Sequence, residues 1–305
     1  MITGLMIGIA AAFVWSITNI VDKYLVDEYA QDGNIGGVLL LSCFFPITLL
    51  VLSLMIAGQS VWYLPTEEIY TLLLTGFLLV LWIYFYLKAL SEDDASVVMT
   101  LLVLAPFFSL IFGQIILKEF LTSVELLAGG LMVLGALTVV YEPNAKKIKW
   151  KVFGYAIAAS VITALMLSLF KFVALEGGAW ESLFWRSVGM VFIGGLIYLF
   201  ISSYRDSFHI FMRDHFTRGV GLNVTNESLT LTGDTLFAVA ILFAPLALVQ
   251  TTEAYQPIFV FLMILIINRF GVRVVQENIE KKVLIQKGIG FVLVLVGTII
   301  LSFVS

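Results

Sequence analysis

Apolar residues run along this chain in blocks of roughly twenty, separated by short polar connectors. A helix needs about 20 mostly apolar residues to cross the roughly 30 Å hydrocarbon core of a bilayer. Ten blocks meet that length, at about 3–22, 35–57, 68–90, 95–117, 122–141, 152–174, 180–202, 216–241, 246–268 and 283–304. The pattern predicts an all-α integral membrane protein with ten transmembrane helices. Met1 leads directly into the first span with no basic leader, so no cleavable signal is expected. The connectors are too short to fold as domains, which places the function inside the bilayer.

The blocks repeat in order. Ile9-Ala10-Ala11 and Lys23 of span 1 recur as Ile157-Ala158-Ala159 and Lys171 of span 6. Spans 3–4 align with spans 8–9 through Ala89 and Ala240, Val98 and Val249, Phe108 and Phe259, and above all Pro106 and Pro257. Leu131 and Gly135 of span 5 match Leu293 and Gly297 of span 10. The expected organisation is two five-helix repeats, residues 1–143 and 144–305. An odd number of spans per repeat inserts the second upside down relative to the first, a layout typical of secondary transporters with a site near the midplane.

Composition sharpens this. Of 305 residues, 61% are hydrophobic and only 12% charged, about half the charge that covers a soluble domain. With a mean hydropathy of +1.05, a soluble enzyme is excluded. A net charge of −4 spread over loops argues against a nucleic-acid partner. The lone Cys43 leaves no disulfide framework and no cysteine metal site. Lys and Arg crowd the loops after spans 1, 3, 5, 7 and 9, from Lys23 through Lys146–Lys151 to Lys287, while the opposite side holds Lys118. That asymmetry predicts both termini outside.

Ionisable groups within spans are costly and usually face the bundle interior. On span 8, Asn223, Asn226, Glu227, Thr230 and Asp234 fall at helical spacing on one face, which reads either as a helix-packing stripe or as the wall of a hydrated cavity. Trp82 and Tyr86 on span 3, and Trp15 and Asn19 on span 1, are each four apart and share a face. Span 9 carries Gln250, Glu253 and Pro257, and the proline disturbs the carbonyl one turn back, at Glu253. Pro106 is the corresponding kink in span 4. Arg186 lies inside span 7, where it either snorkels to the interface or pairs with Glu227, Glu253 or a substrate carboxylate. Lys23 and Lys171, at span ends, are expected to snorkel. Asp22 enters only as half of an aspartyl-protease-like pair with Asp234, which lacks the flanking motif. There is no HExxH, no phosphate loop, and no histidine near a span nucleophile, since His209 and His215 share one polar loop. No enzyme, metal or cofactor is expected.

Together these features resemble the EamA-like branch of the drug/metabolite transporter superfamily. The resemblance rests on Ala11, Ala12, Trp15 and Lys23 in span 1, and on Tyr86-Leu87-Lys88-Ala89-Leu90 with Pro106. It continues through Glu119-Phe-Leu-Thr with Gly129 to Gly135, then Trp185-Arg186, Pro257 and the Gly290 to Gly297 spacing. Two departures stand out. The family's usual Gly-Glu is Lys118-Glu119 here, and the second copy of that acid is displaced to Glu277 or Glu280. The resemblance implies ten spans, a central cavity lined by spans 3 and 8, and both termini in the cytoplasm, against the charge count.

The expected function is secondary transport, read as export, of a small amphiphilic metabolite such as an amino acid or organic cation by alternating access. Asn223, Asn226, Glu227, Gln250 and Glu253 would hold its polar part, and Trp15, Asn19, Trp82 and Tyr86 the rest. Glu227, Asp234, Glu253 and Arg186 are the charge-pairing and proton-coupling candidates. Spans 5 and 10 are expected to be peripheral scaffolding. The alternatives are a flippase of lipid-linked headgroups and a non-transporting receptor or scaffold. A prokaryotic inner membrane is the expected setting; the oligomeric state is not legible.

Overall fold

The computed structural model describes residues 1–30, 34–92, 98, 101–102, 104–140, 150–269 and 281–304. Among them there are helices and turns and no strand, as a chain must be whose backbone N–H and C=O groups have no water to bond within a bilayer. Five stretches are long and apolar enough to cross a membrane: Ile2–Tyr29, Gly36–Trp62, Thr66–Glu92, Trp150–Gly177 and Ala179–Phe200. Ala105–Leu117, Ser123–Gly135 and Gly288–Leu301 are shorter apolar helices.

The first stretch is helix α1 (Ile2–Tyr29). The second divides into α2 (Gly36–Phe44) and α3 (Ile47–Ala57). The division falls at Pro46, which has no N–H to continue the ladder; a 3₁₀ turn over Gly58–Trp62 follows. Next come α4 (Thr66–Glu92), α5 (Ala105–Phe112), a π turn at Gly113–Leu117, and α6 (Ser123–Val140). Pro106 stands in the first turn of α5, where its missing N–H would have no intrahelical partner in any case.

The remainder consists of α7 (Trp150–Gly177), α8 (Ala179–Phe200), α9 (Ser202–Asp214), α10 (Gly221–Phe243), α11 (Leu246–Thr251), a 3₁₀ turn at Thr252–Tyr255, α12 (Gln256–Arg269) and α13 (Lys281–Val304). Gly178, at φ 88°, makes the tight turn between α7 and α8. The polar loop expected to carry His209 and His215 is largely helical: α9 occupies Ser202–Asp214. Tyr204, Phe208, Phe211 and His215 recur at helical spacing, and buried Phe211 holds that face inward. Glu277 and Glu280 lie outside the described residues, as do Lys146, Lys147 and Lys149.

Two close helix crossings set the frame. At α4–α8, a Cβ on Gly76 would meet the Met190 nitrogen at 2.6 Å, and one on Gly189 would meet Leu73 Cα at 2.9 Å. At α6–α13, Cβ atoms on Gly135 and Gly297 would each fall 2.6 Å from a backbone carbonyl, of Gly290 and Ala128 respectively. Glycine is required at such approaches because backbone meets backbone. Helix α10 runs antiparallel to α1, as contacts of Trp15 with Asp234 and of Asp22 with Asn226 require.

Candidate functional site

Where α1, α4, α7, α8 and α10 converge, the molecule encloses a cavity of ≈ 140 Å³, room for several waters or a small organic molecule. Trp15, Thr18, Asn19 and Asp22 line it from α1, and Leu79, Trp82, Ile83 and Tyr86 from α4. Thr163, Met166 and Leu167 come from α7, Arg186 from α8, and Glu227, Thr230, Asp234 and Phe237 from α10. Ser42 of α2, and Glu253 and Gln256 at the break before α12, complete the polar wall.

The aromatic side is built for a flat or apolar group. Trp82 and Tyr86 stack at 5.1 Å with their planes 7° apart, because four residues along a helix bring side chains one above the other. Trp15 leans on Phe237 at 5.1 Å and donates its indole N–H to Asp234 at 3.1 Å. On the polar side Ser42 donates to Glu227. Asn19 Nδ2 donates to Gln256 Oε1 at 2.8 Å, and Asn226 Nδ2 to Asp22 Oδ1 at 2.6 Å. Tyr86 Oη lies 3.1 Å from Asp22 Oδ2 and 3.2 Å from Asn19 Oδ1.

Arg186 turns inward, 4% exposed, with its guanidinium 5.0 Å over the Phe170 ring, a cation–π placement. It therefore does not snorkel. It makes no ion pair within 4.0 Å with Glu227, Glu253 or Asp234, and the carboxylate whose charge reaches it is Asp234.

Nine of the charged, polar and aromatic residues singled out by sequence meet in this cavity: Trp15, Asn19, Trp82, Tyr86, Arg186, Glu227, Thr230, Asp234 and Glu253. Three others lie outside its lining. Asn226 is buried behind it on Asp22, Gln250 accepts a hydrogen bond from Ser109, and Asn223 is wholly buried with neither amide atom partnered. Among the described residues Lys171 is buried, 3% exposed, and does not snorkel: its ammonium pairs with Glu119 and donates to the Ala244 carbonyl at 2.6 Å. Glu119 also accepts the Leu246 N–H at 2.8 Å, capping α11. Lys23 donates to the Leu90 carbonyl at 3.1 Å and pairs with Asp27 at 2.8 Å. The side chain of Pro257 lies outside the described part, but the 3₁₀ turn at Thr252–Tyr255 is the tightening that a proline there imposes on the turn before it.

Asp22 is the residue that sequence reasoning undervalued. The signal was present: Trp15, Asn19 and Asp22 fall at i, i+4 and i+7, one continuous face of α1. Ser42 and Gln256 carry no such signal, because their role follows from helix breaks at Pro46 and before α12.

Residues 2–141 match the EamA-like transporter family, a family of membrane transporters of small molecules. The match covers 140 of the 305 residues, so it is the first half of the chain that is similar to this family. No curated protein matches the chain. Among solved structures, one described only as a crystal structure of a protein aligns with a TM-score of 0.63 at 14% identity, covering 99% of this chain and 96% of its own. At that identity the likeness speaks to the fold alone, and it extends that fold over nearly all of both chains.

Proposed function

We propose that this protein is a secondary transporter that moves a small amphiphilic metabolite, an amino acid or organic cation, by alternating access between two inverted five-helix halves, 1–143 and 144–305. The observation that carries the reading is the central cavity itself, where a stacked aromatic pair faces a cluster of carboxylates inside a membrane protein. An isolated carboxylate is expensive to bury, and four of them around one opening, Asp22, Glu227, Asp234 and Glu253, point to a cationic partner group. Arg186 leaves room for a carboxylate on the same ligand. The inverted halves are supported by Lys23 and Lys171, equivalent in the repeat. Each donates to a carbonyl at the end of the helix two spans on, Leu90 for Lys23 and Ala244 for Lys171.

Ten spans in a prokaryotic inner membrane, termini outside, export as the direction, and a proton on Glu227 or Glu253 as a coupling ion belong to the same proposal. Its test is counterflow in proteoliposomes, with labelled amino acids, quaternary amines, nucleosides and sugars. The expected result is exchange of an amine-bearing solute, reduced at least tenfold by W82A, a loss of about 1.4 kcal/mol. Binding without exchange would instead identify a receptor or scaffold.

A second reading, transport of a lipid-linked headgroup, is favoured by one feature. A smaller cavity of ≈ 50 Å³ adjoins the first and shares Ser42, Trp82, Arg186 and Glu227 with it, and it continues along Phe45, Pro46 and Leu49 at the α2–α3 break. Exchange that requires an alkyl chain on the solute would select this reading.

A further inference from the structure

Asp22 presents a charge problem that its neighbours do not solve. Among the described residues no cation lies within 4.0 Å of it, and adjacent Lys23 is engaged by the Leu90 carbonyl and Asp27. Its two oxygens take one N–H from Asn226 and a share of the Tyr86 hydroxyl. That hydroxyl has one proton and faces two acceptors at near-equal distance, Asp22 Oδ2 and Asn19 Oδ1. Asn226, 1% exposed, has its Oδ1 without any partner, although its amide head is fixed against Asp22. Asn223, fully buried one turn along the same face of α10, has both its amide oxygen and its amide nitrogen without a partner. The cluster is thus short of positive charge and holds an unmet amide oxygen beside Asp22, in a place where each unmet acceptor is costly.

A proton on Asp22 supplies a single hydrogen bond. A metal cation takes several oxygens at once. One carboxylate with amide and phenol oxygens is too little charge for a dehydrated divalent ion, which recruits several carboxylates. We propose that Asp22, Asn226 and Tyr86, with Asn19 at the edge, form a site for a monovalent alkali cation, sodium foremost, between α1, α4 and α10. A half-turn of the Asn226 amide brings its Oδ1 to face the carboxylate across the ion. The site borders the central cavity through Asp22, Asn19 and Tyr86. On the transporter reading, from which its coupling role alone follows, it supplies an ion whose gradient can drive exchange.

The test uses the purified full chain without substrate. Its unfolding temperature is measured in NaCl and in choline chloride at equal ionic strength and fixed pH, alongside saturable ²²Na⁺ binding. The site predicts a rise of about 2–4 °C in sodium, a mass-action shift, lost in D22N, weakened in N226A and kept in D214N on the distant helix α9. Should D22N fail to fold, the ²²Na⁺ isotherms of the wild type and N226A decide. Equal stability in the two salts with no saturable binding overturns the site, and so does a sodium response that survives D22N. A response to pH alone assigns the charge to a proton and equally overturns it. Because no transport is read, failure here leaves the transporter proposal standing, and failed counterflow leaves the ion site standing.

Discussion

Trp15 reaches Asp234 only because residue 233 has no side chain: a Cβ on Gly233 would sit 2.7 Å from the indole nitrogen. G233A therefore pushes the indole off its acceptor and is expected to act like W15F, which keeps the ring and deletes the N–H. Each should lower stability by about 1.5–3 kcal/mol, the range for a hydrogen bond to a charged group, and the double variant should cost little more than either alone. Thermal unfolding in detergent measures both. Lys118 makes the opposite case. It is the one non-glycine with positive φ among the described residues, at φ 58° and ψ 29°, and it stands where the resembling family has glycine. Left-handed backbone costs a side-chain-bearing residue about 1–2 kcal/mol. K118G should raise stability by about 1 kcal/mol, less what glycine's extra unfolded-state freedom takes back. The departure noted in the sequence is therefore a strained turn, placed directly before the acid that caps α11.

Helix breaks decide what could be read in advance at the level of elements. Spans 1 and 3 were legible because α1 and α4 are unbroken and apolar over lengths set by the bilayer. The polar stripe of α10 was legible too, since a period of 3.6 carries Glu227, Thr230 and Asp234 to one side. Span 2 read as a single block, yet it divides at Pro46, and α9 was hidden because its amphipathic pattern is short and rich in charge. Gln250 looked like a cavity residue from its spacing with Glu253. The 3₁₀ turn between them changes the angle per residue, so it faces Ser109 instead. Asp22 was in full view but was weighed for catalysis instead of for the face it shares with Trp15 and Asn19. The α4–α8 crossing yields a prediction of its own kind. G189A adds one methyl where backbone already touches backbone, so α4 and α8 must separate. A loss of about 1–3 kcal/mol, the ordinary cost of overpacking, should appear in unfolding, together with reduced exchange because Arg186 and Trp82 then part.

For the whole molecule, the ion pair of Lys171 with Glu119, together with the bond to the Ala244 carbonyl, ties the ends of α7 and α10 to the turn after α5. If the halves alternate, this tie must open in every cycle. A disulfide across E119C/K171C, in a C43S background, should stop counterflow and release it on reduction. The reciprocal experiment concerns α6 and α13, which contribute nothing to the lining of the cavity. Their nearest side chains include Met132 and Thr298, 3.7 Å apart, and a disulfide across M132C/T298C should leave exchange at wild-type rates.

That last expectation follows from the glycines at 135 and 297. Two helices whose backbones touch at two points, one from each half, cannot slide past one another, yet they can turn slightly about the line through those points. The pair is then less a scaffold than an axle. If the halves alternate, the other helices swing about it, and the amplitude of the swing at the cavity grows with distance from it. Any residue larger than glycine at either point would move the axis itself, so its effect would register in the geometry of opening at the far side of the protein before it registered in the binding of anything.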